Sequence, residues 1–346
     1  MNRMRPPGKN VLLAPFSALY GGIVGLRNFM YDAMPHLSRS CGKPTISIGS
    51  VHAGGTGKTP MALLVGRYLH AQGHDVAFLS RGYKRKCKRP VISVPFSLDS
   101  WETVGDEPAL LHAELPQSWL GIGASRYRSA RHLFPLLGKK AMFILDDAFQ
   151  HRRIQRDLDI VCLPADPFSD ALLPAGMLRE PLSSLTRART ICLIGTKNDM
   201  PLLKASKERL EALFQRIPVF VLYQEPVGWV PLDGGDCSPH LPLNQPVALC
   251  GIARPERFIF LIKKMGISIA AESIFMDHHS FTVHDVESIM QRANTTGIIT
   301  TEKDAFRLKS LKLVNRADIW YLKIDLQFHD QGSQELFYKI IDTIIP

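Results

Sequence analysis

The 346 residues predict an α/β fold: a doubly wound, mostly parallel sheet with a second, smaller α/β domain after it. Three observations point there. Short apolar runs alternate with helix-like stretches along most of the chain. Most of those runs are continuously apolar, as expected for strands covered on both faces of a parallel sheet. A stretch rich in proline and glycine, 218–246, then separates one such alternation from another.

Arg3, Arg5 and Lys9 precede an almost uncharged run from Val11 to Leu26. A basic flank before an apolar run is also the form of a secretory signal, but no clear small-x-small cleavage site ends this one. As a helix the run would rise about 24 Å, short of the roughly 30 Å of bilayer hydrocarbon, and Pro15 is expected to interrupt it. The expectation for residues 1–35 is a membrane-associated helical segment lying in one leaflet, with a buried core helix as the alternative. Residues 36–217 form the first domain. Strands are expected at Thr45–Gly49, Val76–Ser80, Val91–Val94, Trp119–Gly123, Met142–Leu145, Ile160–Leu163 and Ile191–Gly195. Pro60–Ala71 reads as a helix, with Pro60 tolerated in its first turn and Gly73 past its end. Residues 218–246 are expected to be a linker. In the smaller domain, 247–346, strands are expected at Val247–Cys250, Ile298–Thr300 and Trp320–Ile324, and helices at Pro255–Met265, Val283–Ala293 and Ser333–Ile344.

Composition narrows the function classes. Apolar residues make up 45% and charged residues 21%, which excludes wholesale disorder. A net charge of +10 suits phosphate-rich partners. Six cysteines with no Cys-x-x-Cys pair indicate free thiols in a reducing compartment, not a disulfide scaffold. Arg81, Lys84, Arg85, Lys86, Lys88 and Arg89 form a basic run that suits solvent or anionic headgroups. It lacks the interleaved aromatics of a nucleic-acid platform, so no nucleic-acid partner is expected.

The strongest motif is Ala53-Gly54-Gly55-Thr56-Gly57-Lys58-Thr59, between an expected strand and an expected helix. Its glycines let successive backbone N–H groups converge on phosphate oxygens at a helix N-terminus. Lys58 can reach the β- and γ-phosphates, and the Thr59 hydroxyl suits Mg²⁺. His52 stands where the pattern usually opens with glycine. A second signal is the apolar run 141–145 ending in Asp146-Asp147, which is how P-loop enzymes offer a carboxylate to Mg²⁺. Together they predict a P-loop NTPase-type domain. Thr196-Lys197-Asn198-Asp199 mimics a guanine reader, so a membrane-associated P-loop GTPase or ATPase switch with no lipid product is the rival. No glycine follows three residues after either Asp146 or Asp147, as a switch would want, and no lysine directly precedes Gly54, as a partitioning ATPase would.

Further clusters lie beyond the generic pattern: Leu79–Tyr83, Val104–Pro108, Asp146–Arg152, Leu173–Pro181, Asp277-His278-His279-x-Phe281 and Thr300–Asp304. In this order, with the phosphate loop and the basic, apolar N-terminus, the chain resembles the tetraacyldisaccharide 4′-kinase family from about residue 11 to past 310. Ser50, Lys84 and His52 depart from its pattern.

The resemblance implies ATP-dependent phosphorylation of the 4′-hydroxyl of a tetraacyl disaccharide 1-phosphate in lipid A biosynthesis. The expected place is the cytoplasmic face of the bacterial inner membrane; no protein partner is implied. It also implies the site. His52, Ala53, Gly54, Gly55, Thr56, Gly57, Lys58 and Thr59 would hold ATP; Thr59, Glu107, Asp146 and Asp147 would face Mg²⁺. Asp106 would accept the hydroxyl proton with His278 as partner, beside Lys58 as the third catalytic group. Tyr83, Arg126, His151 and Arg179 would surround the anionic glycolipid. Without the resemblance, Asp106-Glu107-Pro108 is an ordinary helix cap and His278 a loop histidine.

Overall fold

The computed structural model describes residues 11–82, 85, 89–95, 97, 101–252, 255–277, 279–293, 297–309, 311 and 318–345. Tyr83, Lys84, Lys86, Lys88 and His278 lie outside them.

One twelve-stranded sheet runs through the molecule. Its strands are β1 (Thr45–Gly49), β2 (Val76–Ser80), β3 (Val91–Ser93), β4 (Trp119–Ile122), β5 (Met142–Asp146), β6 (Leu158–Pro164), β7 (Thr190–Gly195), β8 (Val219–Pro231), β9 (Val247–Cys250), β10 (Ala271–Ile274), β11 (Gly297–Thr301) and β12 (Asp318–Phe328). Their order is β10-β9-β11-β12-β8-β7-β6-β1-β5-β2-β4-β3. All neighbours are parallel except β12 with β8 and β3 with β4.

The helices are α1 (Ala14–Ala33), α2 (Lys58–Ala71), α3 (Trp101–Val104), α4 (Asp106–Glu114), α5 (Arg126–Leu133), α6 (Met200–Leu213), α7 (Pro255–Lys264), α8 (Val283–Ala293), α9 (Glu302–Lys309) and α10 (Gln331–Asp342). They cover both faces of the sheet. Met142 and Ile144 of β5 pack with α2 and α4, while Phe143 and Leu145, one residue out of phase, pack with α5. The same alternation places Leu249 and Ile298 with α8 and α9, and Ala248 and Ile299 with α7. This two-sided burial is why the strand sequences are continuously apolar.

Three features differ from expectation. The stretch expected as a linker, 218–246, opens with the 13-residue strand β8, which pairs with β7 on one side and β12 on the other. Its ladder with β12 shifts register at Lys323/Ile324, where Pro226, which has no N–H to donate, is accommodated. The final helix α10 packs not only on β12, where Phe328 meets Phe337, but also on the first part of the sheet. Phe337 and Ile341 join the core around α2, and Tyr338 stacks on Tyr68 at 4.0 Å. Pro15 does not interrupt α1; it lies in the helix's first turn, where its missing N–H costs nothing.

The two parts of the sheet are also joined by partly buried charge. Arg67 of α2 reaches Glu114 of α4 and Asp325 of β12, both at 2.7 Å, and Lys323 of β12 reaches Glu114 at 2.7 Å. Beside them burial and the Glu114 carboxylate push Glu302 of α9 up to about 8. A carboxyl raised above its unfolded value binds a proton on folding. Its contribution is complete below the unfolded pKa and is lost as pH rises through the folded one. This contribution to thermal stability should therefore fall as pH rises from about 4.5 to about 8, and Glu302→Gln, which mimics the protonated form, should flatten that fall. Superimposable Tm–pH curves for the two proteins would refute the assignment.

Candidate active site

The register that pairs Ile48 of β1 with Asp146 of β5 brings the end of β5 beside the start of the phosphate loop. The two are closely apposed: a Cβ on Gly49 would lie 2.5 Å from the backbone nitrogen of Phe149. Gly57 is the N-cap of α2 with φ +77°, a left-handed conformation that favours glycine. The loop thus delivers Lys58 and Thr59 as the first two residues of α2.

Lys58 Nζ donates to the Gly54 carbonyl at 3.1 Å and lies 3.7 Å from Asp147 Oδ1. Asp147, at φ +45°, also accepts from Arg179 Nη1 at 2.8 and 2.9 Å. Burial alone would raise its carboxyl, but Lys58, Arg179 and Arg126 together hold it below the usual range. Asp146 is the opposite case. It is buried, its Oδ1 has no hydrogen-bond partner, and burial together with Glu107 and Asp147 pushes it up to about 7. Two adjacent carboxyls therefore differ sharply in charge preference.

Arg126 is buried, and its Nη2 donates to the Asp146 carbonyl at 3.1 Å and the Asp147 carbonyl at 3.3 Å. Expected as a substrate contact, it braces the turn that carries the two acids. His151 is half-buried, and burial with the surrounding Arg126, Arg156, Arg153 and Arg81 lowers it to about 4, so it is neutral at pH 7. Gln150 Nε2 donates to the Ser50 carbonyl at 2.9 Å, tying this turn to the loop. Ser50, where the family pattern has asparagine, accepts the His52 N–H on its hydroxyl at 3.0 Å.

Asp106 is not a helix cap. Gly105 is the N-cap of α4 and no side chain caps that end. Asp106 is the first helical residue, and its Oδ2 accepts from Arg307 Nε and Nη2 at 3.1 and 2.5 Å. Glu107 follows it, 3.4 Å from Lys303 Nζ. Among the described residues no three His, Cys, Asp or Glu side chains form a ready metal cage.

The Leu173–Pro181 motif, together with Leu172 before it, has a structural task that its sequence does not announce. Ala53 N donates to the Met177 carbonyl at 2.7 Å and Arg179 N to the Val51 carbonyl at 2.6 Å, so it clamps the phosphate loop from outside. Its other side holds α1: Ser17 Oγ donates to the Leu172 carbonyl at 2.9 Å and Tyr20 OH to the Arg179 carbonyl at 2.9 Å. Glu180, fully buried, binds Arg27 at 2.7 Å, Arg187 at 2.8 Å and Asn28 at 2.9 Å. Burial raises its carboxyl, but these partners hold it below the usual range. The sequence signal for Glu180 was its place in the Leu-Arg-Glu-Pro run; its partners on α1 left none.

The guanine-reader mimic has another occupation. Thr196 and Asp199 form a capping box, with Asp199 Oδ2 accepting from Thr196 N at 2.9 Å and Oγ1 at 2.8 Å. The carboxylate that would read a base is spent on a helix start.

The family model of tetraacyldisaccharide-1-P 4′-kinase matches residues 9–342. The chain belongs to this family. The tetraacyldisaccharide 4′-kinase of Chlorobaculum tepidum is 35% identical over 96% of this chain and 97% of its own length. That of Porphyromonas gingivalis is 36% identical over 88% of each. Among solved structures, LpxK from Aquifex aeolicus in complex with ATP superposes with a TM-score of 0.80 at 30% identity, covering 96% of this chain and 98% of that one. The family resemblance drawn from the ordered motifs thus extends to nearly the whole chain.

Proposed function

We propose that this kinase transfers the γ-phosphoryl group of ATP to the 4′-hydroxyl of a tetraacyl disaccharide 1-phosphate, a step of lipid A biosynthesis. The observation that carries the proposal is the strand–loop–helix phosphate cradle with Lys58 above the Asp146–Asp147 pair, in a chain of this family. Residues 52–59 hold the triphosphate, backbone N–H groups and the α2 N-terminus facing its oxygens. Lys58 stabilises charge that develops on the transferring group.

Mg²⁺ fits the chemistry of the acids. The buried Oδ1 of Asp146 has no partner, and Asp147, Glu107 and the Thr59 hydroxyl supply further hard oxygen ligands. An acid pair without a full protein cage suits an ion that keeps waters and takes phosphate oxygens as ligands. When bound, the ion neutralises charge between the β- and γ-phosphates.

Asp106 accepts the hydroxyl proton, with His278 as its partner. The acceptor is assigned to Tyr83, His151 and Arg179, with Arg126 acting through the turn that it braces. His151, held neutral, both donates and accepts hydrogen bonds, which suits a sugar hydroxyl. Incubation with Mg-ATP and a lipid A disaccharide monophosphate should add one phosphate by mass spectrometry. GTP preference, or nucleotide hydrolysis with no phosphorylated lipid, would overturn the proposal.

The protein works at the cytoplasmic face of the bacterial inner membrane, held there by α1. One side of this helix is docked through Ser17, Val24 and Asn28. The other exposes Phe16, Leu19, Ile23 and Leu26 at helical spacing, each more than half exposed, and Leu12 is exposed just before the helix. No helix among the described residues is long and apolar enough to cross a membrane. A docked helix with an apolar outer stripe fits interfacial binding. Deleting residues 1–30 would also strip Arg27 and Asn28 from Glu180, so point changes are the cleaner test. Leu19→Lys with Ile23→Lys should release the protein from sedimented anionic vesicles while leaving its Tm within about 1 °C, since both side chains face away from the core. Undiminished vesicle binding would refute the role of α1.

A further inference from the structure

We propose that Arg307 is a positioning residue for phosphoryl transfer, fixing the carboxylate of Asp106 from the far part of the sheet. The proposal rests on Asp106 being the proton acceptor. Arg307 projects from α9, 201 positions along the chain from Asp106, and its side chain is 1% exposed. Its guanidinium is divided between two tasks. Nη1 donates to Asp304 Oδ1 and to the Gly251 carbonyl, both at 2.8 Å. Nε and Nη2 both turn to the single oxygen Oδ2 of Asp106.

The anchor behind Arg307 is itself rigid. Asp304 Oδ2 accepts from Gly251 N at 2.9 Å and from Thr301 Oγ1 at 2.9 Å, and Asp304 N donates back to Thr301 Oγ1 at 3.2 Å. These bonds weld the first turn of α9 to the end of β9. A Cβ on Gly251 would lie 3.1 Å from Phe281 and 3.2 Å from Asp304, so the backbone there is closely packed.

The physical need is plain. The terminal torsion of an aspartate is broad and roughly two-fold, so an unsupported carboxylate presents its oxygens over a wide range of directions. Two donors on one oxygen fix the plane of the group and so aim the other. Proton transfer requires the acceptor within hydrogen-bond reach of the hydroxyl, and supporting contacts that lock its orientation are what hold it there. Only a planar guanidinium spans both carboxylates. A lysine could satisfy Asp106 or Asp304 but not both.

The test is kcat and KM for ATP and lipid in Arg307→Ala, Arg307→Lys, Asp106→Ala and the Arg307→Ala/Asp106→Ala double variant, with Tm for each. Arg307→Ala should lower kcat about 10–100-fold, the usual effect of losing a supporting partner, with KM for ATP within about 2-fold. Arg307→Lys should remain at least about 10-fold down although it keeps the charge. In the Asp106→Ala background the Arg307 change should cause no further loss of kcat, with Tm used to show that each variant is folded at the assay temperature. A structural role alone would multiply with Asp106→Ala.

If Arg307→Ala does not fold, Arg307→Lys and Asp304→Asn carry the same comparison. Normal kcat in Arg307→Lys, or multiplicative losses in the double variant while Asp106→Ala alone is crippled, would overturn the positioning role and leave the acceptor role standing. Normal turnover in Asp106→Ala would overturn the acceptor role, and the positioning role with it.

Discussion

Asp106→Asn should lower turnover about 10²–10⁴-fold, the usual contribution of a positioned base, with little loss of ATP affinity. Asparagine is the better probe of function here because its side-chain oxygen still accepts from the buried Arg307, whereas alanine removes one of the two carboxylates that hold that charge. Removing one member of a buried ion pair costs about 3–5 kcal/mol, enough to confuse instability with lost catalysis. Because Gly105 is the helix N-cap, neither change removes a cap. His278→Ala should cost the same order or less. The double variant should lose less than the product, as groups acting as a unit do. Strictly multiplicative losses would show that Asp106 and His278 do not act together. Steady-state kinetics of the purified variants, with Tm measured alongside, decides between these outcomes.

Lys58→Ala should lower kcat by at least about 10²–10³, the scale measured when a preorganised charge-stabilising donor is deleted. The fold should survive, because Asp147 keeps Arg179 at 2.8 Å when the lysine is gone. Melting curves should show an unchanged Tm without nucleotide and a smaller upward shift with Mg-ATP than the parent shows. Full turnover in this variant would sink the phosphate-loop assignment, and with it the kinase mechanism.

The phosphate cradle was legible because its chemistry is local. A strand, a glycine-rich turn and a helix start within fifteen residues leave few alternatives, and the apolar runs of β1, β2 and β5 mark strands buried on both faces. Strand β8 was hidden by its own residues. Pro226, Gly228 and Pro231 read as a linker, and only the bulge opposite Lys323/Ile324 shows how an antiparallel pair absorbs them. β10 was missed for another reason: Ala271–Ile274 is a four-residue edge strand of alternating burial, too short for its pattern to stand out. Contacts across the sheet were the least legible. Asp106 with Arg307 and Glu180 with Arg27 are each more than 150 positions apart, and no local pattern encodes such a pairing. The order of motifs carried the family, but it could not say that Arg126 would brace a turn or that Asp199 would close a capping box.

Tyr20 on α1 bonds the carbonyl of Arg179, the Arg179 side chain holds Asp147, and Asp147 faces Lys58. Three contacts therefore separate α1, proposed above to meet the lipid, from Lys58, proposed to meet the phosphate. Such a short rigid chain acts as a ruler. With α1 at the membrane as proposed, it would hold the reacting centre at a constant height above the leaflet. The alternative, lifting an acylated disaccharide into water, would expose its chains at about 0.8 kcal/mol per methylene, tens of kcal/mol for four of them. A kinase built to this measure can leave its substrate's tails in the bilayer and work on the headgroup alone.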